Sequence, residues 1–374
     1  MPIHPSSRRL RRADRFLAFR RRAPFLAGAL VAAIFLPRTS SAADGIHLKS
    51  ADGDWDFAPS GMAAVRLQQE ARGGVLVERG IRLQATRLVL HAVNTRWKTQ
   101  FHYQFHSDEG RLATGNVYIQ WDPSPYFGLL VGQNRVPYNR EHITGYFYHQ
   151  LPDRSLTNGR FGLQRDLGVA ASVATKEHRW EAVAGLWNGA RLAAANDDTS
   201  FQSTLRLAWN PRGTVDFREG DLARERHPKV SVALAGAYNP RRVFALDPAK
   251  PNDLVAWTSI RQAVLEGTLR WRGLSITGET HVRYARRPEG VVGEFGQLLQ
   301  VGMFVAPKVE GVLRVAAFGA DRAMAPKTTT GEYAVGGNVY VSGHRLKIQG
   351  DVALLRAADG QLDPRIRLQT SVIF

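Results

Sequence analysis

Trp97-Lys-Thr-Gln-Phe-His-Tyr-Gln-Phe-His106 alternates without a break. Trp97, Thr99, Phe101, Tyr103 and Phe105 fall on one face, and Lys98, Gln100, His102, Gln104 and His106 on the other. This is the period-two signature of a strand with one apolar face. The pattern recurs at 265–272, at 274–284 and at 345–354, where Leu346, Ile348, Gly350, Val352 and Leu354 oppose Arg345, Lys347, Gln349, Asp351 and Ala353. These strands run to roughly ten residues, whereas strands of a soluble sandwich average nearer five or six. Their polar face carries Arg, Lys, His and Gln instead of a Lys/Glu mixture. That suits an all-β, transmembrane antiparallel barrel with lipid outside and a wet, cationic interior.

Connection lengths agree. Short ones fall at 93–95, 122–125, 175–178, Gly273, Pro307 and Gly343. Long ones fall at 107–115, 135–163, 188–200, 239–257, 287–294, 321–331 and 356–364. Short turns at one end and long loops at the other is the barrel arrangement. Residues 210–228 break the rule, being long where a short turn is expected. About sixteen strands fit between Trp55 and Phe374, enough to enclose a water-filled channel. The last strand, Ile366-Arg-Leu-Gln-Thr-Ser-Val-Ile-Phe374, ends on an aromatic residue.

The chain has 374 residues, no Cys and a formal charge of +17. Eight arginines crowd residues 8–22, followed by an apolar run from Ala23 to Leu36 and small residues to Ala43. Together these read as a secretory signal peptide over 1–42, with a barrel domain over 43–374. The competing reading, a basic tail for nucleic acid, leaves the apolar run unexplained, so no nucleic-acid partner is expected. Removing 1–42 takes away nine arginines and one acid and leaves a basic chain. Absence of Cys fits an exported protein without disulfides. After residue 42 no apolar run reaches eighteen residues, so no helical span is indicated.

The longest connection carries the chemistry. Leu129-Leu-Val-Gly-Gln-Asn-Arg-Val-Pro-Tyr-Asn-Arg-Glu141 begins as a strand and breaks at Pro137. About thirty residues without a period follow, and loops this long inside a domain are usually functional. Residues 135–163 therefore read as a loop that folds back and presents positive charge. Loop candidates for pore lining and anion binding are Arg135, Arg140, Arg154, Arg160 and Arg165. Strand phase adds Lys98, Arg206, Arg270, Arg283, Arg314, Arg345 and Lys347. The bland reading of each is a structural ion pair with an inward acid such as Glu266, Glu279, Glu310 or Asp351, or a lipopolysaccharide contact at the rim. Trp97, Trp121, Tyr126, Trp180, Trp209 and Trp271 read as an interfacial girdle. No metal-ligand spacing, cofactor motif or Ser–His grouping stands out, so no enzyme and no cofactor are expected.

Six pieces in order resemble the phosphate-selective porins O and P of Gram-negative outer membranes. They are Gly45-Ile-His-Leu-Lys-Ser-Ala-Asp-Gly-Asp-Trp55, Gly80-Ile-Arg-Leu-Gln-Ala-Thr-Arg-Leu88, Val131-Gly-Gln-Asn-Arg-Val-Pro137, Gln164-Arg-Asp-Leu-Gly-Val169, Gly185-Leu-Trp-Asn-Gly189 and Gly343-His-Arg-Leu-Lys-Ile-Gln349, with the terminal Phe374. The resemblance implies a sixteen-stranded homotrimeric porin with short periplasmic turns and long external loops. It implies that the third external loop, here 135–163, folds into the pore. It also implies phosphate or similar small anions as solute, contact with outer-membrane lipid, and assembly machinery that reads Phe374. The alternatives are a porin without phosphate specificity, a barrel enzyme, and a plugged, non-conducting barrel.

Overall fold

A computed structural model describes residues 46–374 apart from 109–110, 191–199, 246–253, 288–289 and 323–324. The proposed signal peptide lies outside the described residues. A short strand, β1 (Leu48–Lys49), leads into sixteen long ones. The first eight are β2 (Trp55–Arg72), β3 (Val75–Asn94), β4 (Thr99–Asp108), β5 (Arg111–Ser124), β6 (Phe127–Arg135), β7 (Arg165–Ala174), β8 (Trp180–Trp187) and β9 (Gln202–Trp209). The rest are β10 (Lys229–Ala245), β11 (Leu254–Trp271), β12 (Leu274–Arg287), β13 (Gly290–Ala306), β14 (Val309–Arg322), β15 (Ala325–His344), β16 (Leu346–Arg356) and β17 (Leu362–Ile373). Each pairs antiparallel with the next, and β17 returns to β2 through Leu368↔Leu67 and Thr370↔Val65. Closure leaves no unpaired edge, as a membrane span requires.

The alternation resolves as expected. Val65, Leu67, Leu265, Leu299, Leu313, Ile366 and Leu368 lie exposed on the outer wall, while Arg66, Gln68, Glu266, Gln300, Arg314 and Arg367 are buried inside. The six girdle aromatics are all exposed, and all sit at the short-turn end. The opposite end differs from the sequence reading. The described residues of the segments read as long loops at 107–115, 239–257, 287–294 and 321–331 are strand, and β3 and β15 reach 20 residues each. Beyond the lipid both faces of a strand meet water, so the apolar alternation stops although the hydrogen-bonded ladder continues.

Candidate anion pathway

Two connections reach the inward-facing side chains. The first spans 136–164. It leaves β6 at Val136, whose amide bonds Gln164 O at 3.0 Å, which pins the two ends of the segment together. Pro137 stops the strand by removing a donor. Two short helices follow, α1 (Arg140–Ile143) and α2 (Leu156–Phe161), the second capped by Ser155 Oγ accepting from Asn158 N. Four apolar side chains dock where the inner wall carries small residues. Val136 meets Ala170 and Trp187, and Tyr138 meets Ala235, Ala237 and Val264. Phe147 meets Ala64 and Ala85, and Leu151 meets Val312, Ala334 and Ala353. Burying such side chains contributes roughly 1.5–3 kcal/mol each.

Polar anchors complete the docking. Asn139 Nδ2 and Glu141 N donate to the two oxygens of Glu279, at 2.9 and 2.7 Å. Gln150 Nε2 donates to Ser275 Oγ and Glu310 Oε1 at 2.8 and 2.6 Å. Leu156 N donates to Glu332 Oε2 at 2.9 Å, and Asp153 takes Arg66 and Arg367 at 2.7 and 2.6 Å. The inward acids are thus anchors for backbone and guanidinium donors.

The second connection is 210–228, the odd one in the sequence. From the short-turn end it meets the first directly. Glu219 accepts from His149 Nδ1 at 2.7 Å, from Gln150 N at 2.7 Å and from Gln300 Nε2 at 2.8 Å, and its own amide donates to Tyr148 O at 3.0 Å. Thr144 Oγ1 donates to Phe217 O at 2.7 Å. Asp221 accepts from Gly273 N at 2.6 Å, tying the segment to the β11–β12 turn. Burial pushes the Glu219 carboxyl up, but His149, Arg314 and the Gln150 amide outweigh it and hold it well below the usual carboxylate range. Burial holds His149 at about 4, against the pull of Glu219, so its neutral ring donates to a carboxylate at neutral pH.

The twelve basic candidates separate into three groups. Arg206 is buried against Glu266, Arg270 pairs with Asp216 at 2.7 Å, and Arg283 and Arg160 share Glu294. Arg314 donates to Gln300 Oε1 and Asp153 O, both at 2.8 Å, Lys347 to His149 O, and Arg140 to the carbonyls of Val215 and Asp216 while lying over Phe217. These seven point inward, yet carboxylates and carbonyls engage them as struts. Two are corrected outright. Lys98 has a positive φ of 53° in the β3–β4 turn and its Nζ donates to Pro123 O, and Arg345 is exposed in the β15–β16 turn. The strand phase was extended through both turns, where alternation no longer sets direction.

The remaining three converge. Arg135 Nη1 donates to Ile143 O at 2.9 Å and to Thr144 O at 2.7 Å. Arg154 Nε donates to Glu141 O at 3.1 Å and its Nη2 to the same Thr144 O at 2.7 Å, so the two guanidiniums sit side by side. Among the described residues Arg154 forms no ion pair. Arg165 Nε donates to Asn116 Oδ1 at 2.7 Å. Between them His142 bonds Gln164 O through Nε2 at 2.9 Å. Burial, then Arg154 and Arg135, with Arg165 adding a smaller push, hold its imidazole well below its ordinary value. Burial is the larger cause, and the like charge of the guanidiniums adds to it.

On the inner wall of β3–β6 below Arg87, His91, Gln100, His102, Tyr118 and Gln120 are half-buried; His91 bonds Gln100, Gln100 and Gln120 bond Asp122, and the rings of His102 and Tyr118 stack. A recess of about 460 Å³ opens there, lined among others by Gln100, Asp122, Gly128, Ser172 and Glu181. Sequence reading missed Arg66 and Arg367, although Val65-Arg-Leu-Gln and Ile366-Arg-Leu-Gln carry the same alternation.

Residues 68–233 match the family described as phosphate-selective porin O and P. Over that span, a little under half of its length, the chain resembles that family. No curated protein sequence matches it. Among solved structures it resembles a loop-deletion form of OmpT of Vibrio cholerae, at 10% identity and TM-score 0.64, covering 86% of this chain and 100% of that one. It resembles an anion-selective porin from Comamonas acidovorans at 11% identity and TM-score 0.60, covering 86% and 100%. The outer-membrane channel DcaP of Acinetobacter baumannii aligns at 12% identity and TM-score 0.57, covering 87% and 99%. The porin is therefore a channel of the Gram-negative outer membrane and not an enzyme.

Proposed function

We propose that the porin passes small anions, phosphate among them, along the β3–β6 wall, and that Arg135, Arg154 and Arg165 form the constriction. The pairing of Arg135 and Arg154 on one carbonyl beside buried, neutral His142 carries the reading. An anion entering a narrow pore sheds water, and fixed guanidiniums replace it. Their planar forks suit phosphate and carboxylate. Low-dielectric walls focus the field and raise local anion concentration. Replacing Arg135 and Arg154 together by Gln is expected to move the KCl reversal potential towards the non-selective value. An unchanged reversal potential would place the constriction elsewhere.

A porin without phosphate specificity is the second reading, favoured by the many inward arginines neutralised by acids, such as Arg206 by Glu266 and Arg367 by Asp351. Current block by millimolar phosphate separates the two. A homotrimer fits the outer wall of β11–β14, where Gly267 pairs with Gly278 and an exposed amide, Gln297, stands between Phe295 and Leu299. An amide facing lipid is costly, and a neighbouring protomer would shelter it. Cross-linking through Gln297→Cys is expected to yield linked protomers.

A further inference from the structure

One level of the β3–β6 wall holds a ladder of rings with a rung missing. His91, His102, Tyr118, Gly132, Gly168 and Trp187 are successive cross-strand partners from β3 to β8. The rings of His102 and Tyr118 lie parallel, 5.0 Å apart at 5°, and His91 follows at 6.0 Å. That spacing matches neighbouring strands, about 4.8 Å apart, so the stack runs across the sheet. One face of Tyr118 is covered by His102. The other turns to the next strand, where Gly132 stands at a φ of +135°, and a Cβ there would come within 2.3 Å of Val117 O. No side chain can fill that position. Beyond it the Trp187 ring leans over Gly168, whose Cβ would meet Trp187 Cε3 at 2.8 Å.

A cation sits above the gap. Arg165 begins β7, yet its Nε reaches Asn116 on β5, so the guanidinium crosses over β6. Asn116 lies two residues before Tyr118, beside a register shift in β5, so at most about 7 Å along the strand. A ring stacked on Tyr118 and bearing a carboxylate would span that distance with one charge-assisted hydrogen bond of about 2.8 Å.

We propose that this gap is a binding slot for a planar aromatic anion, an arene carboxylate, stacked on Tyr118 and held by Arg165. The proposal rests on the anion-preferring reading and names a solute class for it. Aromatic stacking favours a flat ring over a puckered one of equal charge and similar size. The test is current block in planar bilayers by benzoate against cyclohexanecarboxylate. Benzoate is expected to block at roughly tenfold lower concentration. Tyr118→Phe is expected to keep that ratio and Tyr118→Leu to bring it near one. Arg165→Gln is expected to weaken both carboxylates alike. Equal block by the two in the wild-type channel overturns the slot, as does a ratio that survives Tyr118→Leu. A channel that prefers anions in KCl yet treats the two alike refutes the slot alone, whereas cation preference refutes the anion reading with it.

Discussion

Replacing Glu219 by Ala removes the acceptor that joins the two inward connections. His149 Nδ1 and Gln150 N, both 2.7 Å from the carboxylate and nearly inaccessible to solvent, lose their partner, while Gln300 Nε2 retains Gln150 Oε1 at 2.8 Å. Each buried donor left unsatisfied costs about 1–3 kcal/mol, so two cost on the order of 3 kcal/mol after some water entry. The barrel wall does not depend on this link, so the loss falls on docking of the segment around Tyr146–Asp153. By about 1.4 kcal/mol per factor of ten, local opening rises on the order of a hundredfold. Hydrogen exchange of peptides covering 146–156 reads it directly. Glu225→Ala, which removes only a more exposed pair with Lys229 at 2.8 Å, is the control and is expected to shift exchange less than about fivefold. Exchange in 146–156 within threefold of wild type would refute the interlock.

Other outcomes follow from the same contacts. Arg206→Ala leaves buried Glu266 with the Arg140 amide but without its guanidinium partner and is expected to destabilise the barrel by about 3 kcal/mol, measured by urea unfolding in detergent. Lowering pH from 7 to 5 is expected to weaken protection of 146–156. Burial holds docked His149 at about 4, whereas a released histidine titrates near 6.5. The released state then binds more protons, and docking loses stability as pH falls from about 6.5 towards 4. Glu219 and the cations Arg154 and Arg314 face that ring, and Glu219, held low, keeps its charge through the window. Equal protection at pH 7 and 5 would show His149 titrating freely.

Strand phase was legible because lipid and lumen impose opposite chemistries on alternate residues. His102, Gln104 and His106 could be assigned inward from Trp97–His106 alone, and the irregularity at 210–228 was visible as length. The role of each arginine was not legible. Arg206 and Glu266 are 60 residues apart in sequence, and Arg66 meets Asp153 across 87. Such pairs depend on register and on where a connection docks, which local pattern does not encode. The small inward residues that receive Val136, Tyr138, Phe147 and Leu151 did leave a mark, since alanine on a polar face, as at Ala353, has no reason in a freely solvated wall. Strand length was underestimated because the lipid signal ends before the hydrogen-bonded ladder does.

The central claim is a pore whose guanidinium cluster at Arg135, Arg154 and Arg165 selects anions. The reversal potential of the purified porin in a planar bilayer under a KCl gradient tests it most directly. The account predicts a potential displaced towards the chloride equilibrium value, and a shift back towards zero in Arg135→Gln/Arg154→Gln. A potential at zero or on the potassium side in the wild-type channel would contradict it.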